Sequence, residues 1–84
     1  MNFRAEINVM PHKELLDPQG KAVANGLHKM NFSEVADVRV GKHITIKLSA
    51  ASEEVAKQRV EEACKKMLTN PIMEGYTFEL FAEN

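Results

Sequence analysis

Residues 3–10 have the sequence FRAEINVM, in which apolar and mainly polar side chains alternate. One set of positions holds Phe3, Ala5, Ile7 and Val9, and the other holds Arg4, Glu6, Asn8 and Met10. A period of two predicts a β-strand with one buried and one solvated face, which Pro11 then ends. The polar second face favours pairing between copies edge to edge over an apolar face-to-face contact.

A helix is predicted to begin at Asp17 and Pro18, after a polar loop that includes Glu14. The aspartate oxygen can accept an unpaired N–H of the first turn, while proline has a helical φ and no N–H to satisfy. Gly20 and Gly26 each weaken this helix by about 1 kcal/mol relative to alanine, so we expect them to allow close packing on the sheet. The apolar stripe that would pack there consists of Val23, Leu27 and Met30.

Alternation returns in residues 36–40 and again in residues 44–48. The apolar positions are Ala36, Val38 and Val40 in the first run and Ile44, Ile46 and Leu48 in the second. Gly41 and Lys42 lie between the runs, and glycine at that position suits a type II′ turn. These residues predict a second and a third strand joined as a hairpin.

A second helix is predicted to begin after Ser52. Ser52 suits the N-cap position, and the glutamates that follow it suit the positive end of the helix dipole. Asn70 and Pro71 stop the helix, because the residue before proline avoids the α region. Its apolar stripe is Ala56, Val60, Ala63, Cys64 and Met67, and a last strand carries Tyr76, Phe78 and Leu80.

The elements predict an α+β fold in the order β-α-β-β-α-β, as a single domain over residues 1–84. We expect a mainly antiparallel four-stranded sheet with two helices on one face. A domain this small gains core by forming a dimer or larger assembly.

Composition excludes several classes of function. The net charge is −1, without the basic excess typical of nucleic-acid-binding proteins. The single cysteine, Cys64, cannot form an intrachain disulfide, and charged or polar residues interrupt the N-terminal segment where a signal peptide or membrane span would lie. We expect a soluble, cytoplasmic protein.

No residue pattern predicts an active site. His12, His28 and His43 lack zinc-ligand spacing, Cys64 lies on an apolar stripe, and no glycine-rich phosphate loop is present. The sequence therefore predicts no catalytic residue, no metal ligand and no cofactor-binding residue in this chain.

Three segments carry a resemblance to a known family: LDPQG at 16–20, VRVGK at 38–42 and NPIMEGY at 70–76. The chain resembles the PurS family, the small subunits of multi-subunit phosphoribosylformylglycinamidine synthases, over almost its whole length. This resemblance implies a non-catalytic homo-oligomer, a dimer or a tetramer, that bridges a ligase subunit and a glutaminase subunit in purine biosynthesis. It also implies that ATP, magnesium and glutamine are used by those partners, while this chain assists ammonia transfer between them.

Candidate interface or motif residues follow from the matching segments: Asp17, Pro18, Gln19, Gly20, Arg39, Gly41 and Lys42. Most of them also have a structural explanation, as a helix start or a turn. Arg39 and Lys42 are expected to be exposed, and arginine can pair bidentately with a partner carboxylate.

Two other functions remain open from the residues alone. Domains of the predicted topology often dimerise around a small ligand, which suggests a sensing or regulatory module as the main alternative. A stand-alone enzyme is disfavoured by the lack of a nucleophile or base cluster.

Overall fold

A computed structural model describes residues 1–13 and 15–83, so the loop prediction for Glu14 lies outside the described residues. The regular elements follow one another as β-α-β-α-β. They are β1 (Asn2–Pro11), α1 (Pro18–Lys29), β2 (Lys42–Ser49), α2 (Glu53–Ala63) with a π-helical turn at Cys64–Leu68, and β3 (Glu74–Glu83).

The strand predicted from residues 3–10 is confirmed and lies at the centre of the sheet. The strand order is β2-β1-β3, and β1 pairs antiparallel with both neighbours. Ile7 lies opposite Ile44 on one side and Phe78 on the other. The alternating apolar positions of all three strands therefore point to one face.

Helix α2 covers that apolar face. Ser52 caps the helix as predicted, accepting a hydrogen bond from the Val55 N–H at 3.2 Å. Five residues form the central buried cluster, and strand residues of β2 and β3 pack around it at partial burial. The cluster consists of Ala5, Ile7, Val9, Val60 and Cys64.

The predicted fourth strand and its hairpin are wrong for the single chain. Residues 36–40 form neither a strand nor a helix, and no strand of the described residues pairs with them. Gly41 has no positive φ, which a type II′ turn would require, and β2 pairs with β1 instead of folding back on residues 36–40. Side-chain alternation is present in both runs, but it does not specify which partner each run pairs with.

The prediction that both helices cover the sheet holds for α2 but is wrong for α1. Gly20 is the only buried residue of α1, and Met30, predicted to face a core, is 68% exposed. Helix α1 lies instead beside residues 36–40, with Gly20 against the Val38 carbonyl. Its apolar stripe thus has little cover within the chain.

The end of α2 differs from the predicted stripe. Met67 is 85% exposed, whereas Leu68 packs against the core. The Thr69 N–H donates to the Cys64 carbonyl five residues earlier at 3.0 Å, which widens the last turn. This wider turn rotates Met67 off the apolar face.

The chain is extended for its mass. Its accessible surface is 6305 Å², against about 5,000 Å² for a compact 9.4 kDa monomer. The radius of gyration is 16.5 Å, against about 12 Å for a compact domain of this length. Over residues 1–13 and 15–83, no helix has both the length and the apolar character needed to cross a bilayer.

Candidate functional site

The three segments singled out in the sequence meet at one end of the sheet, where β1 ends and β2 and β3 begin. They surround an open cavity of about 380 Å³. The described residues that line the cavity are Pro11, Leu15, Leu16, Asp17, Pro18, Gln19, Val40, Asn70, Met73 and Glu74. We call this place the sheet-end cavity.

Asp17 joins two of the segments. Its Oδ1 accepts the Gly20 N–H at 3.0 Å and caps α1, while its Oδ2 accepts the Val40 N–H at 2.9 Å. The N–H groups of Gly20 and Val40, helped by the nearby Arg39 charge, lower the pKa of the Asp17 carboxyl. With both oxygens engaged inside the chain, Asp17 shapes the cavity wall and is not positioned to act as a base.

Gly20 and Gly41 are sites of close backbone approach. A Cβ built on Gly20 would lie 2.1 Å from the Val38 carbonyl oxygen. A Cβ on Gly41 would lie 2.3 Å from the Val9 carbonyl oxygen. Both contacts are far shorter than van der Waals distance, so a side chain at either position would push the segments apart.

Arg39 and Lys42 make contacts within the chain. The Arg39 guanidinium donates to the Leu15 carbonyl at 3.0 Å and to the Lys13 carbonyl, which ties the loop before α1 to residues 36–40. Lys42 Nζ lies 3.9 Å from Glu74 Oε1. Arg39 is thus less exposed than expected, and its guanidinium stabilises the loop before α1.

Pro18 and Gln19 form the start of α1 and are both exposed at the cavity rim. Pro18 occupies the first helical position, as predicted. Five of the seven candidate residues therefore lie where the start of α1 and the loop before it meet residues 36–40. The other two, Gly41 and Lys42, come next in the chain, and Lys42 begins β2.

The turn that leads into β3 was missed as a site component. Asn70 Oδ1 accepts the Ile72 N–H at 3.1 Å, and Glu74 Oε1 accepts the Asn70 N–H at 2.9 Å. The His12 N–H also donates to the Met73 carbonyl at 2.9 Å, which fixes the turn to the end of β1. Asparagine before proline is a signal for this side-chain-closed turn, although the sequence interpretation used Asn70 only as the end of α2 and as part of the family segment 70–76.

Large apolar side chains project from these fixed loops. Leu16 is 75% exposed and Ile72 is 82% exposed, and Met73 beside them is half exposed. The hydrogen bonds of Asp17, Arg39, Asn70 and Glu74 hold the backbones that carry them. A rigid apolar rim of this kind is typical of a protein-binding surface.

The remaining polar groups are dispersed. His28 bonds the Val35 carbonyl at 2.8 Å, and His43 on the polar sheet face lies 3.1 Å from Glu6 Oε2. Burial raises the pKa of the Cys64 thiol, so the thiol stays protonated inside the core.

Comparison with known proteins decides the family. The model of the PurS family, described as phosphoribosylformylglycinamidine (FGAM) synthase, matches residues 4–82. The chain belongs to the PurS family. The resemblance inferred from residues 16–20, 38–42 and 70–76 is thereby confirmed.

Individual relatives agree with this assignment. The chain is 36% identical over 81 residues to the phosphoribosylformylglycinamidine synthase subunit PurS of Synechocystis, covering 96% of this chain and 81% of the relative. It matches a crystal structure of Bacillus subtilis PurS with a TM-score of 0.84 at 35% identity, over 95% of this chain and 99% of that one. A chain of the Thermotoga maritima PurLQS structure gives a TM-score of 0.88 at 28% identity, over 96% and 99% of the two chains.

The predicted role as a subunit of phosphoribosylformylglycinamidine synthase in purine biosynthesis is confirmed by these PurS matches, and the sensing-module alternative is not favoured. The coarser part of the fold prediction, a small α+β domain with two helices and an antiparallel sheet, is confirmed as well.

Proposed function

We propose that this chain is a non-catalytic structural subunit that joins the ligase and glutaminase subunits of an ATP-dependent, glutamine-using phosphoribosylformylglycinamidine synthase. It acts in the cytoplasm as a homo-oligomer. ATP, magnesium and glutamine are used by the partners and are not bound by this chain.

One observation carries the proposal: three segments distant in sequence are fixed together at the sheet-end cavity, and they present apolar side chains to solvent. Within the described part of the chain, Leu16 and Ile72 stay largely uncovered and Met73 stays half uncovered. Held rigid, they lose little entropy when a partner covers them, which favours tight association. A relative of the same fold occurs in a structure named PurLQS.

The chemistry of the complex explains why such a subunit is useful. Ammonia released by a glutaminase is protonated and diluted if it reaches bulk water. A subunit that holds two active sites together raises the effective ammonia concentration at the ligase and excludes water from the path. This role requires positioning, and it requires no catalytic group on the positioning subunit.

Reconstitution tests the proposal. The purified chain is mixed with the ligase and glutaminase subunits of its organism, and amidine formation is followed with glutamine or with free ammonia as the nitrogen source. We expect the glutamine-dependent rate to require this chain and the ammonia-dependent rate to be independent of it. Equal glutamine-dependent rates with and without the chain would refute the bridging role.

A matched pair of variants locates the contact. Met73→Gln removes an apolar side chain at the sheet-end cavity, while Met67→Gln changes a methionine that is 85% exposed on the α2 side and does not line the cavity. Met73→Gln is expected to raise the chain concentration needed for half-maximal glutamine-dependent activity by about tenfold. Met67→Gln is expected to leave it unchanged, and equal effects of both variants would contradict the assignment of this surface.

A further inference from the structure

Strand β3 is an open edge of the sheet. It pairs with β1 on one side, and on its other side no strand lies among residues 1–13 and 15–83. Natural edge strands are usually protected from further pairing by short length, by proline, by a bulge or by lysine. β3 is 10 residues long, keeps an unbroken register with β1, and contains no proline, lysine or arginine. It is therefore a template for one more strand.

The main-chain groups along this edge are free at alternate residues. The His12 N–H donates to the Met73 carbonyl at 2.9 Å, and the β1–β3 register continues from this pair. Odd residues of β3 thus direct their main-chain groups toward β1, and even residues direct theirs outward. No hydrogen bond within the described part of the chain satisfies the outward main-chain groups of Tyr76, Phe78, Leu80 and Ala82. We call the N–H groups of these four residues the outward amides.

The apolar face of β3 indicates one requirement for an added strand. Phe78 and Leu80 pack against the buried cluster from the edge of the sheet and are only partly buried. A strand paired with β3 would set its own side chains directly beside them on the same face. The residues opposite Phe78 and Leu80 are therefore expected to be apolar.

Charge on the polar face indicates the other requirement. Two of the three glutamates of β3 are in ion pairs within the chain: Glu74 with Lys42 at 3.9 Å, and Glu83 with Arg4 at 2.8 Å. The third, Glu79, is exposed, forms no ion pair among the described residues, and lies opposite Glu6, which is a like-charge pair. Glu79 would meet an added strand at a non-hydrogen-bonded position, where opposed side chains are closest. A lysine or arginine at that position would compensate the charge of Glu79.

We propose that an extended segment of a partner protein adds antiparallel to β3, with a lysine or arginine opposite Glu79 and apolar residues opposite Phe78 and Leu80. Main-chain hydrogen bonds to the outward amides supply affinity, and the opposed side chains supply specificity. The segment belongs to the partner that covers the sheet-end cavity, because Glu74 both lines that cavity and begins β3. The inference rests on the bridging role for this source of the segment.

The same charges disfavour a second copy of the chain as the occupant. Pairing between two β3 edges would bring the glutamates of both copies together, with no lysine or arginine on either strand. Like charges across paired strands are destabilising. Glu79 thus acts against self-association along this edge and in favour of a basic partner.

A synthetic peptide tests this recognition on the full chain without its synthase partners. The probe is the peptide TVTVKVTVT with blocked termini, which sets its lysine opposite Glu79 and a valine opposite each residue that carries an outward amide. The control peptide has glutamate in place of the lysine. Amide hydrogen exchange followed by nuclear magnetic resonance measures the protection of each residue of β3.

In the free chain, we expect the outward amides to exchange fast and the amides of the odd residues of β3 to be protected by their pairing with β1. The lysine peptide at millimolar concentration is expected to slow exchange of the outward amides by about tenfold, while the glutamate peptide leaves it unchanged. Glu79→Lys is expected to reverse this preference, so that only the glutamate peptide protects.

Three outcomes would overturn the proposal. Protected outward amides in the free chain at micromolar concentration would mean that another copy already covers β3. Equal protection by the two peptides, or protection by neither, would mean that Glu79 does not select a basic segment. The reconstitution with the ligase and glutaminase subunits is measured separately, so failure of this inference is distinguishable from failure of the bridging role.

Discussion

Two glycines in the same helix predict opposite effects of the same substitution. A Cβ on Gly26 would meet no atom within 4 Å, whereas a Cβ on Gly20 would lie 2.1 Å from the Val38 carbonyl oxygen and 2.7 Å from Asp17 Oδ2. Both substitutions replace a glycine of α1 with a residue of higher helix propensity. They differ in whether α1 can stay against residues 36–40.

The magnitudes follow from these contacts. Alanine in place of glycine inside a helix gains about 1 kcal/mol, so Gly26→Ala should stabilise the chain by roughly that amount. In Gly20→Ala the same gain is opposed by an overlap with backbone, which cannot rotate away as a side chain can. Overpacking costs about 1–3 kcal/mol, and with a main-chain neighbour we expect a cost toward the upper end and a net loss of about 1–2 kcal/mol. The two variants should then differ in Tm by about 8 °C or more.

Thermal unfolding followed by circular dichroism, at one fixed protein concentration, measures this difference. We expect Tm to be highest for Gly26→Ala, intermediate for the wild type and lowest for Gly20→Ala. Stabilisation by both substitutions would refute the packing of Gly20 on Val38, and with it the attachment of α1 to residues 36–40.

Three further predictions concern the core and the sheet. Val60→Asp buries an unpaired charge at a side chain that is 1% exposed, so the variant is expected to lose at least about 3 kcal/mol; a native far-ultraviolet spectrum with unchanged Tm would contradict the α2–sheet core. Ser52→Ala removes the bond to the Val55 N–H and should cost about 1 kcal/mol in urea unfolding, and Ser33→Ala, at an exposed turn serine that caps neither α1 nor α2, is the control. The Tyr76 hydroxyl donates to Glu61 at 2.7 Å, which together with burial raises the pKa of Tyr76 to about 12. Since the folded state holds this proton more tightly, the stabilisation is complete below pH about 10 and is lost as pH rises toward about 12. Tyr76 is the only tyrosine, so its absorbance at alkaline pH reports this group directly, and a midpoint near 10 in the folded chain would show the bond is absent.

Sequence patterns predicted the elements whose apolar faces are buried within the chain itself. β1 is buried on one face along its whole length, and α2 lies across it, so the period of two in residues 3–10 and the stripe through Ala56 and Val60 correspond directly to the core. Capping at Asp17 and Ser52 was also predictable, because a cap involves residues three apart.

The candidate site was predicted as separate segments and not as one place. The bond from Val40 to Asp17 spans 23 residues, and the bonds from Arg39 to the loop before α1 span 24 and 26. No periodic pattern in the sequence indicates such contacts, since they depend on how distant segments come together in the fold. The turn through Asn70 and Glu74 was missed for a related reason, because its role appears only when it meets the end of β1.

Residues 36–40 and the apolar side chains at the sheet-end cavity differ in how a sequence can reveal them. The side chains of residues 36–40 alternate as those of a strand do, yet the described part of the single chain supplies no strand that pairs with them. Leu16, Ile72 and Met73 occupy loops, where no repeat distinguishes an interface side chain from any other. A periodic segment thus leaves a visible pattern in the sequence even where the single chain does not pair it, while a surface built from loops is found only once the structure brings the loops together.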